Sequence, residues 1–86
     1  MVVLKKINET KINVTYEYYP EDRQHLKPGV FEIDKITYDS RILKFAEQDC
    51  NTKTYSVYAY MGVGKIINDY LKKNKSTPDE AMCAWY

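Results

Sequence analysis

The longest periodic pattern in the chain is a set of apolar residues with the i, i+3, i+4, i+7 spacing of an amphipathic α-helix. It comprises Tyr55, Tyr58, Ala59, Gly62, Val63, Ile66, Ile67, Tyr70 and Leu71. Candidate N-cap residues occur between positions 49 and 54, lysines gather at positions 72–75, and Pro78 prevents continuation. The pattern predicts one long helix from about Thr52 to Asn74, with this stripe against the core.

A second interpretation of the first half of this segment is a strand. Residues 54–61 are rich in Tyr, Thr and Val, which favour strands, and Gly62-Val63-Gly64 could form a turn before a shorter helix. We favour the long helix, because a nine-position stripe is harder to obtain by chance than a short run of strand-forming residues.

Four shorter segments alternate between apolar and polar residues and predict β-strands. They are Val2 to Ile7, Ile12 to Tyr19, Val30 to Lys35, and Arg41 to Glu47. We expect their core-facing side chains to be Ile12, Val14, Tyr16 and Tyr18 in the second strand, Phe31 and Ile33 in the third, and Leu43 and Phe45 in the fourth. The solvated face would carry Glu17, Glu32, Asp34 and Lys44.

Two turns would connect the later strands of this meander. Pro28-Gly29 supplies a fixed φ followed by a residue that tolerates positive φ, which predicts the centre of a type II turn. Thr37-Tyr38-Asp39-Ser40 contains turn residues without glycine. The tail from Ala81 to Tyr86 is apolar to its last residue, so we expect it to dock on the fold, with a short edge strand as one form.

Together these elements predict an α+β fold: a four-stranded antiparallel β-meander packed on one long C-terminal helix, with a short docked C-terminal segment. At 86 residues the chain is expected to form a single domain, residues 1–86. The composition of 44% hydrophobic and 29% charged residues is that of a folded protein.

Charge and cysteine content narrow the classes of partner. The net charge of +1 provides no overall field for nucleic acid or an anionic membrane. Cys50 and Cys83 are too few for a disulfide-stapled secreted domain, and the sequence has neither a signal peptide nor a membrane span. We therefore expect a cytoplasmic protein that does not enter a membrane.

Two motifs that invite a catalytic or ligand-binding interpretation are incomplete. Gly62-Val63-Gly64-Lys65 lacks the first glycine of a phosphate-binding loop and the Ser or Thr after the lysine. The single histidine, His25, is far in sequence from Cys50 and Cys83. These separations match neither a Cys–His nucleophilic pair nor a set of metal ligands. We expect no enzyme activity, no cofactor, no metal site and no small-molecule ligand.

The helix carries a second apolar face, which is the main functional signal in the sequence. At about 100° per residue, Val57, Tyr60, Met61 and Gly64 fall opposite the core stripe, where a surface helix is normally polar. We expect these four residues to form a protein interface, with a symmetric homodimer as the default assembly. In the alternative, Trp85 and Tyr86 fold back over this face.

A second hypothesis is a small protein that binds single-stranded nucleic acid. Tyr19 and Tyr38 could stack on bases, and basic side chains could contact the phosphates. The basic candidates are Lys5, Lys11 and Arg41. We prefer the interface hypothesis, since Tyr16 and Tyr18 are in phase with the core and no basic stripe or RNA-binding signature occurs.

Four short features occur in the second half of the chain in a fixed order. They are Ile33-Asp34-Lys35, Lys44-Phe45-Ala46-Glu47, Tyr58-Ala59 and Ala84-Trp85-Tyr86. In these features the chain resembles short uncharacterised proteins of Firmicutes and their prophages. The resemblance implies a β-meander followed by one helix and implies no activity or site residues. The chain departs from the pattern at Thr37-Tyr38, where a Thr-Gly hairpin would be expected.

Overall fold

A computed structural model describes residues 2–20, 27–46 and 57–83 as a five-stranded antiparallel sheet with one helical segment packed on one face. The order of strands across the sheet is β4-β3-β2-β1-β5. The elements are β1 (Val2–Glu9), β2 (Asn13–Pro20), β3 (Gly29–Asp34), β4 (Ser40–Lys44), α1 (Val57–Ile66), a π-helical segment (Ile67–Leu71), α2 (Lys72–Asn74) and β5 (Glu80–Cys83).

The predicted α+β class and the meander of β1 to β4 are confirmed, but the prediction of four strands is wrong. The fifth strand, β5, pairs antiparallel with β1, with Val2 opposite Cys83 and Lys5 opposite Glu80. The expected docking of the C-terminal segment is thus confirmed for residues 80–83, while residues 84–86 lie outside the described part. A short apolar run without alternation gives a weak strand signal, and the partner strand at the other end of the chain supplies the missing hydrogen bonds.

The core lies between the helical segment and the inner face of the sheet. Val14, Tyr16, Tyr18, Phe31 and Ile33 are fully buried, as the alternation predicts. The rings of Tyr16 and Phe31 stack with centroids 5.8 Å apart. These aromatic side chains give a small domain much of its buried apolar area.

The prediction that Ile12 shares this face is wrong, since its side chain is 51% exposed. β2 begins only at Asn13, and Ile12 belongs to the preceding turn. The Thr10 hydroxyl accepts hydrogen bonds from the backbone N–H groups of Ile12 and Asn13. This turn removes Ile12 from the pleat, so its side chain no longer follows the alternation.

The predicted core face of β4 is also wrong, because Leu43 and Phe45 are about half exposed. Phe31 lies opposite Ile42 and Val30 lies opposite Lys44, so Leu43 is an extra residue in a β-bulge. Ile42 packs on the core instead. The strand ends at Lys44, and Glu47, its predicted end, lies outside the described residues.

The type II turn predicted at Pro28-Gly29 is wrong as well. Gly29 does not have a positive φ and is the first residue of β3, opposite Tyr18. A Cβ atom on Gly29 would overlap the Tyr18 ring. A glycine is needed here because an aromatic ring crosses the backbone, and not because of its φ angle.

The outer face of the sheet carries the charged residues that were expected there. Glu17 and Lys44 lie opposite Val30 in the register, and Glu32 lies opposite Thr15 and Arg41. The Arg41 guanidinium is 3.4 Å from the Glu32 carboxylate. Exposed pairs of this kind contribute little to stability, and this side of the sheet is a solvated surface.

The turn between β3 and β4 is built around Asp34. Its carboxylate accepts hydrogen bonds from the backbone N–H groups of Thr37 and Ile36, which lower the pKa of Asp34. Tyr38 follows with a φ of 65°, the left-handed region that favours glycine. This is the position at which the resemblance would place the glycine of a Thr-Gly hairpin, and the ring of Tyr38 packs against the core.

A second β-bulge, at Ile7 in β1, builds an ion-pair cluster. Lys6 lies opposite Tyr16 while Asn8 lies opposite Thr15, so Ile7 is the extra residue. The bulge places Lys6 and Glu9 on one face, with their charged atoms 2.9 Å apart. Without it, residues three positions apart in a strand would point to opposite faces.

The ion-pair cluster holds the connection between the helical segment and β5 against the sheet. Lys35 contacts the Glu9 carboxylate at 2.8 Å, and the Thr77 hydroxyl donates to the same carboxylate at 2.9 Å. Lys35 and Lys6 lower the pKa of Glu9 to about 2. Nearby, the Tyr16 hydroxyl donates to the carbonyl of Pro78 at 2.6 Å. These contacts position β5 beside β1.

Candidate interaction surface

The helical segment is continuous from Val57 to Asn74, which confirms the predicted helix over these residues and its C-terminal end. Residues 57–61 are helical, so the strand interpretation of this stretch is wrong. The predicted start at Thr52 lies outside the described residues. The segment ends at Lys75, whose φ of 54° is left-handed and whose N–H donates to the carbonyl of Leu71.

One face of the helical segment is fixed by the sheet. Ala59, Val63, Ile66 and Leu71 are buried, as the apolar stripe predicts. A Cβ atom on Gly62 would lie 2.8 Å from Leu4 Cδ2 and 3.0 Å from Phe31 Cε2. The glycine at position 62 thus permits close approach of the helix to the sheet. The opposite face must therefore point away from the sheet.

The π-helical segment keeps the end of the stripe against the core. In an uninterrupted α-helix at about 100° per residue, Leu71 would lie about 80° around the axis from Val63. The N–H of Lys72 instead donates to the carbonyl of Ile67, five residues back. Each residue of this wider turn advances less around the axis, so Leu71 returns to the buried side. Asn68 is turned outward and is exposed.

Three of the four predicted interface residues lie on this outward face, namely Tyr60, Met61 and Gly64. The side chain of Tyr60 is 55% exposed, and Met61 and Gly64 are half-buried. Val57 is the first residue of α1, and its side chain lies outside the described part. Among the described residues, one side-chain atom would lie within 4 Å of a Cβ atom on Gly64, the amide nitrogen of Asn68 at 3.9 Å. No packing contact within the described part of the chain thus requires a glycine at this position.

Asn68 was not predicted as part of this surface. A regular helix puts a residue four positions after Gly64 on nearly the same face, and this spacing was the available signal. Asn68 is polar and lies between Ile67 and Tyr70, so it is not part of the apolar pattern on which the interface prediction was based. The structure adds Asn68 to Tyr60, Met61 and Gly64, and we call these four residues the outer helix surface.

An ion pair borders the outer helix surface on one side. The Lys65 ammonium is 2.7 Å from the Asp69 carboxylate, four residues along the helix. The hydrogen bond between them raises the pKa of Lys65 and lowers the pKa of Asp69. Because the two charges neutralise each other, this border is electrically balanced.

The alternative in which the tail covers this face involves Trp85 and Tyr86, which lie outside the described residues. Tyr60 on this face is 55% exposed. β5 carries the chain as far as Cys83, which is paired with Val2 at the end of the sheet.

Two of the candidate nucleic-acid contacts are neighbours on the outer face of the sheet. The Lys5 ammonium lies over the Tyr19 ring, 5.2 Å from its centroid. The Tyr19 hydroxyl donates to the Glu17 carboxylate at 3.1 Å. Burial, and then this contact with Glu17, raise the pKa of Tyr19. The Lys5 ammonium thus already occupies the face of the Tyr19 ring, and the Glu17 carboxylate is next to it.

The other three candidates lie elsewhere. Tyr38 is in the β3–β4 turn, at the opposite end of the sheet from Tyr19, about 20 Å away at the strand rise per residue. Its ring faces the helical segment, with the Lys72 ammonium 5.8 Å from the ring centroid. Arg41 pairs with Glu32, and Lys11 is in the β1–β2 turn. The five residues do not form one platform.

The residues considered for catalysis or metal binding give no assembled centre in residues 2–20, 27–46 and 57–83. No group of three or more His, Cys, Asp and Glu side chains in these ranges could hold a metal ion. Cys83 is a half-buried free thiol, whereas His25 and Cys50 lie outside these ranges. Gly62-Val63-Gly64-Lys65 lies inside α1 and does not form a loop.

Comparison with known proteins adds no relative from which a function could be transferred. The chain matches no protein-family model, no curated protein and no solved structure. In the described part of the chain, no helix is both long and apolar enough to cross a membrane.

Proposed function

We propose that this protein is a non-enzymatic interaction module that self-associates through the outer helix surface. The observation that carries the proposal is the contrast between the two helix glycines. Gly62 is required by its contacts with Leu4 and Phe31, whereas in the described part of the chain only the Asn68 amide, at 3.9 Å, lies within 4 Å of a Cβ atom placed on Gly64. A glycine inside a helix destabilises it by about 1 kcal/mol relative to alanine. A partner that approaches the helix closely at Gly64 gives this glycine a role.

The neighbours of Gly64 fit a contact surface. Tyr60 is an amphipathic ring with a polar tip, and Met61 has a flexible apolar side chain that adapts to a partner. Tyrosine and methionine are enriched in protein interfaces. A second copy of the chain is the simplest partner, since two-fold homodimers are the most common assemblies.

The first experiment is the solution mass by light scattering after size exclusion, from high to low micromolar concentration. We expect a dimer that dissociates on dilution. Tyr60→Glu should give a monomer at every concentration, because a buried carboxylate would be unpaired only in the dimer. Its far-UV circular dichroism should be unchanged, and its thermal midpoint should equal that of the wild type at concentrations where the wild type is monomeric.

Ile12→Glu is the matched control, since Ile12 is 51% exposed but lies in the β1–β2 turn and not on the outer helix surface. This variant should keep the wild-type mass at each concentration. The proposal fails if the wild type is monomeric throughout this range. It also fails if Tyr60→Glu unfolds the protein, because Tyr60 would then be needed for the core.

A further inference from the structure

We infer, on the basis of the proposed function, that the partner is a second copy whose helix lies antiparallel to the first and crosses it at Gly64. Tyr60 of each copy then lies beside Asn68 of the other. The inference adds an orientation, a crossing point and a pairing of side chains to the outer helix surface.

The position of Gly64 within the surface determines the pairing. Gly64 is four residues after Tyr60 and four residues before Asn68. A two-fold axis that passes beside Gly64 and reverses the helix direction therefore exchanges the positions of Tyr60 and Asn68. The two glycines face each other at the axis, where the absence of Cβ atoms allows the two backbones to approach.

The chemistry of these two side chains is complementary in this arrangement. A tyrosine hydroxyl donates one hydrogen bond and accepts others, and an asparagine amide has both an acceptor oxygen and a donor NH₂ group. Each Tyr60 can donate to the amide oxygen of the opposite Asn68. The interface would thus contain two symmetric hydrogen bonds, with each polar group paired as it loses contact with water.

Charge favours the antiparallel orientation over the parallel one. The C-terminal end of the helical segment carries Lys72 and Lys73, and Lys75 follows directly. A parallel pair would bring these lysines of both copies together and align the two helix dipoles. The antiparallel pair separates the lysines of one copy from those of the other. The Lys65–Asp69 border is neutral, so it does not oppose the approach.

Cross-linking between introduced cysteines tests the orientation. Cys50 and Cys83 are first replaced by serine, and Tyr60→Cys and Asn68→Cys are then made separately, one of them with a larger affinity tag. The tagged and untagged chains are mixed and oxidised mildly at a concentration at which light scattering shows a dimer. A disulfide requires Cβ atoms about 3.5–4.5 Å apart.

We expect the mixed disulfide between position 60 of one chain and position 68 of the other to form several-fold faster than either symmetric disulfide. In an antiparallel crossing at Gly64, the two copies of position 60 are separated by about 12 Å along the helix axis, too far for a direct bond. A mixture of Asn68→Cys with Ile12→Cys measures the rate of random collision.

Two results would overturn the inference, and they are distinguishable from each other. If the serine background still dimerises but the symmetric disulfides dominate, the helices are parallel and the antiparallel pairing is wrong, while the proposed function stands. If neither the wild type nor the serine background dimerises at any concentration, the proposed function itself fails, and the pairing fails with it.

Discussion

The ring of Tyr18 lies directly over the α-carbon of Gly29 on the neighbouring strand, in the space that a Cβ atom would occupy. In this position the Tyr18 hydroxyl accepts a hydrogen bond from the backbone N–H of Ala46 at 2.9 Å. Both Tyr18 and Ala46 are fully buried. The absence of a side chain at Gly29 thus allows the Tyr18 ring to lie across β3. The Tyr18 hydroxyl can then bind the backbone of the residues that follow β4.

Gly29→Ala is therefore expected to destabilise the protein. The added methyl group would displace the Tyr18 ring, which strains the core and removes the hydrogen bond to Ala46. Overpacking of a core costs about 1–3 kcal/mol, and a buried N–H left unpaired adds to it. The free energy of unfolding, measured by urea titration, gives the change. A loss below about 0.5 kcal/mol would show that the Tyr18 ring does not lie over Gly29 in solution.

The two helix glycines should respond in opposite directions to substitution by alanine. Gly62→Ala should destabilise the fold by about 1–3 kcal/mol, because the new Cβ atom would lie too close to Leu4 and Phe31. Gly64→Ala should stabilise the monomer by about 1 kcal/mol, since the space is open and alanine is the better helix former.

Urea titration measures the free energy of unfolding of both glycine variants at a protein concentration low enough for the protein to be monomeric. If Gly64→Ala also destabilises the monomer, the space beside Gly64 is filled in solution. Above that concentration, Gly64→Ala should show a smaller dimer fraction in light scattering than the wild type, because its methyl groups meet at the crossing point.

Glu9 should make stability depend on acid pH. Its pKa is lowered from 4.5 to about 2 in the folded protein, so its contribution is complete above pH 4.5 and is lost as the pH falls towards 2. We expect a contribution of about 1 kcal/mol, below the ~3 kcal/mol that the pKa difference alone corresponds to, because solvent screens this partly exposed carboxylate.

Urea midpoints for the wild type and Glu9→Gln, measured at several values between pH 2 and pH 7, test this contribution. The two proteins should differ in stability at pH 7 and converge near pH 2. Glu80→Gln serves as the control, because it also removes one carboxylate, at an exposed position on β5. An equal difference at all pH values would show that Glu9 acts through packing and not through its charge.

Lys75→Gly should stabilise the protein by about 0.5 kcal/mol. Lys75 has a φ of 54°, which glycine adopts without strain, although the glycine also makes the unfolded chain more flexible. The change is measured as an increase in the thermal midpoint. Lys73→Gly is the control, since Lys73 lies within α2 and the same substitution there should lower the midpoint. A lower midpoint for both variants would contradict the left-handed cap.

Labelled single-stranded DNA and RNA should not bind at low salt. Lys5 already covers the Tyr19 ring, Glu17 stands beside it, and Tyr38 lies at the other end of the sheet. Fluorescence anisotropy from low to physiological salt measures any association. A salt-dependent increase in anisotropy that Tyr19→Ala abolishes would contradict this prediction. Nucleic-acid binding would then be the favoured function.

The sequence predicted the elements whose signals are local. Tyr16, Tyr18, Phe31 and Ile33 alternate without interruption, and their burial follows from the period of a strand. Gly62 was interpreted correctly, because it belongs to the core stripe of the helix. In each of these cases the side-chain direction depends only on neighbours along the chain.

The errors arose where a residue inserted into a regular element changed the direction of those that followed. The bulge at Leu43 shifted the alternation of β4, and nothing in residues 41–47 marks it. The π-helical segment, by contrast, keeps Leu71 on the buried side that the apolar stripe predicts. Gly29 was assigned to a turn because it follows Pro28, whereas the ring that requires a glycine there comes from another strand. Such features depend on contacts between elements, which a single sequence does not display.

The pairing of β5 with β1 has a consequence for the order of folding. β1 to β4 are neighbours along the chain and can pair through short connections, whereas Val2 meets Cys83 across nearly the whole described sequence. Closing so long a loop is slow compared with forming a hairpin. During synthesis, β1 must therefore remain an open sheet edge until residues 80–83 have left the ribosome. Aggregation of nascent chains through this edge is the risk that the topology creates.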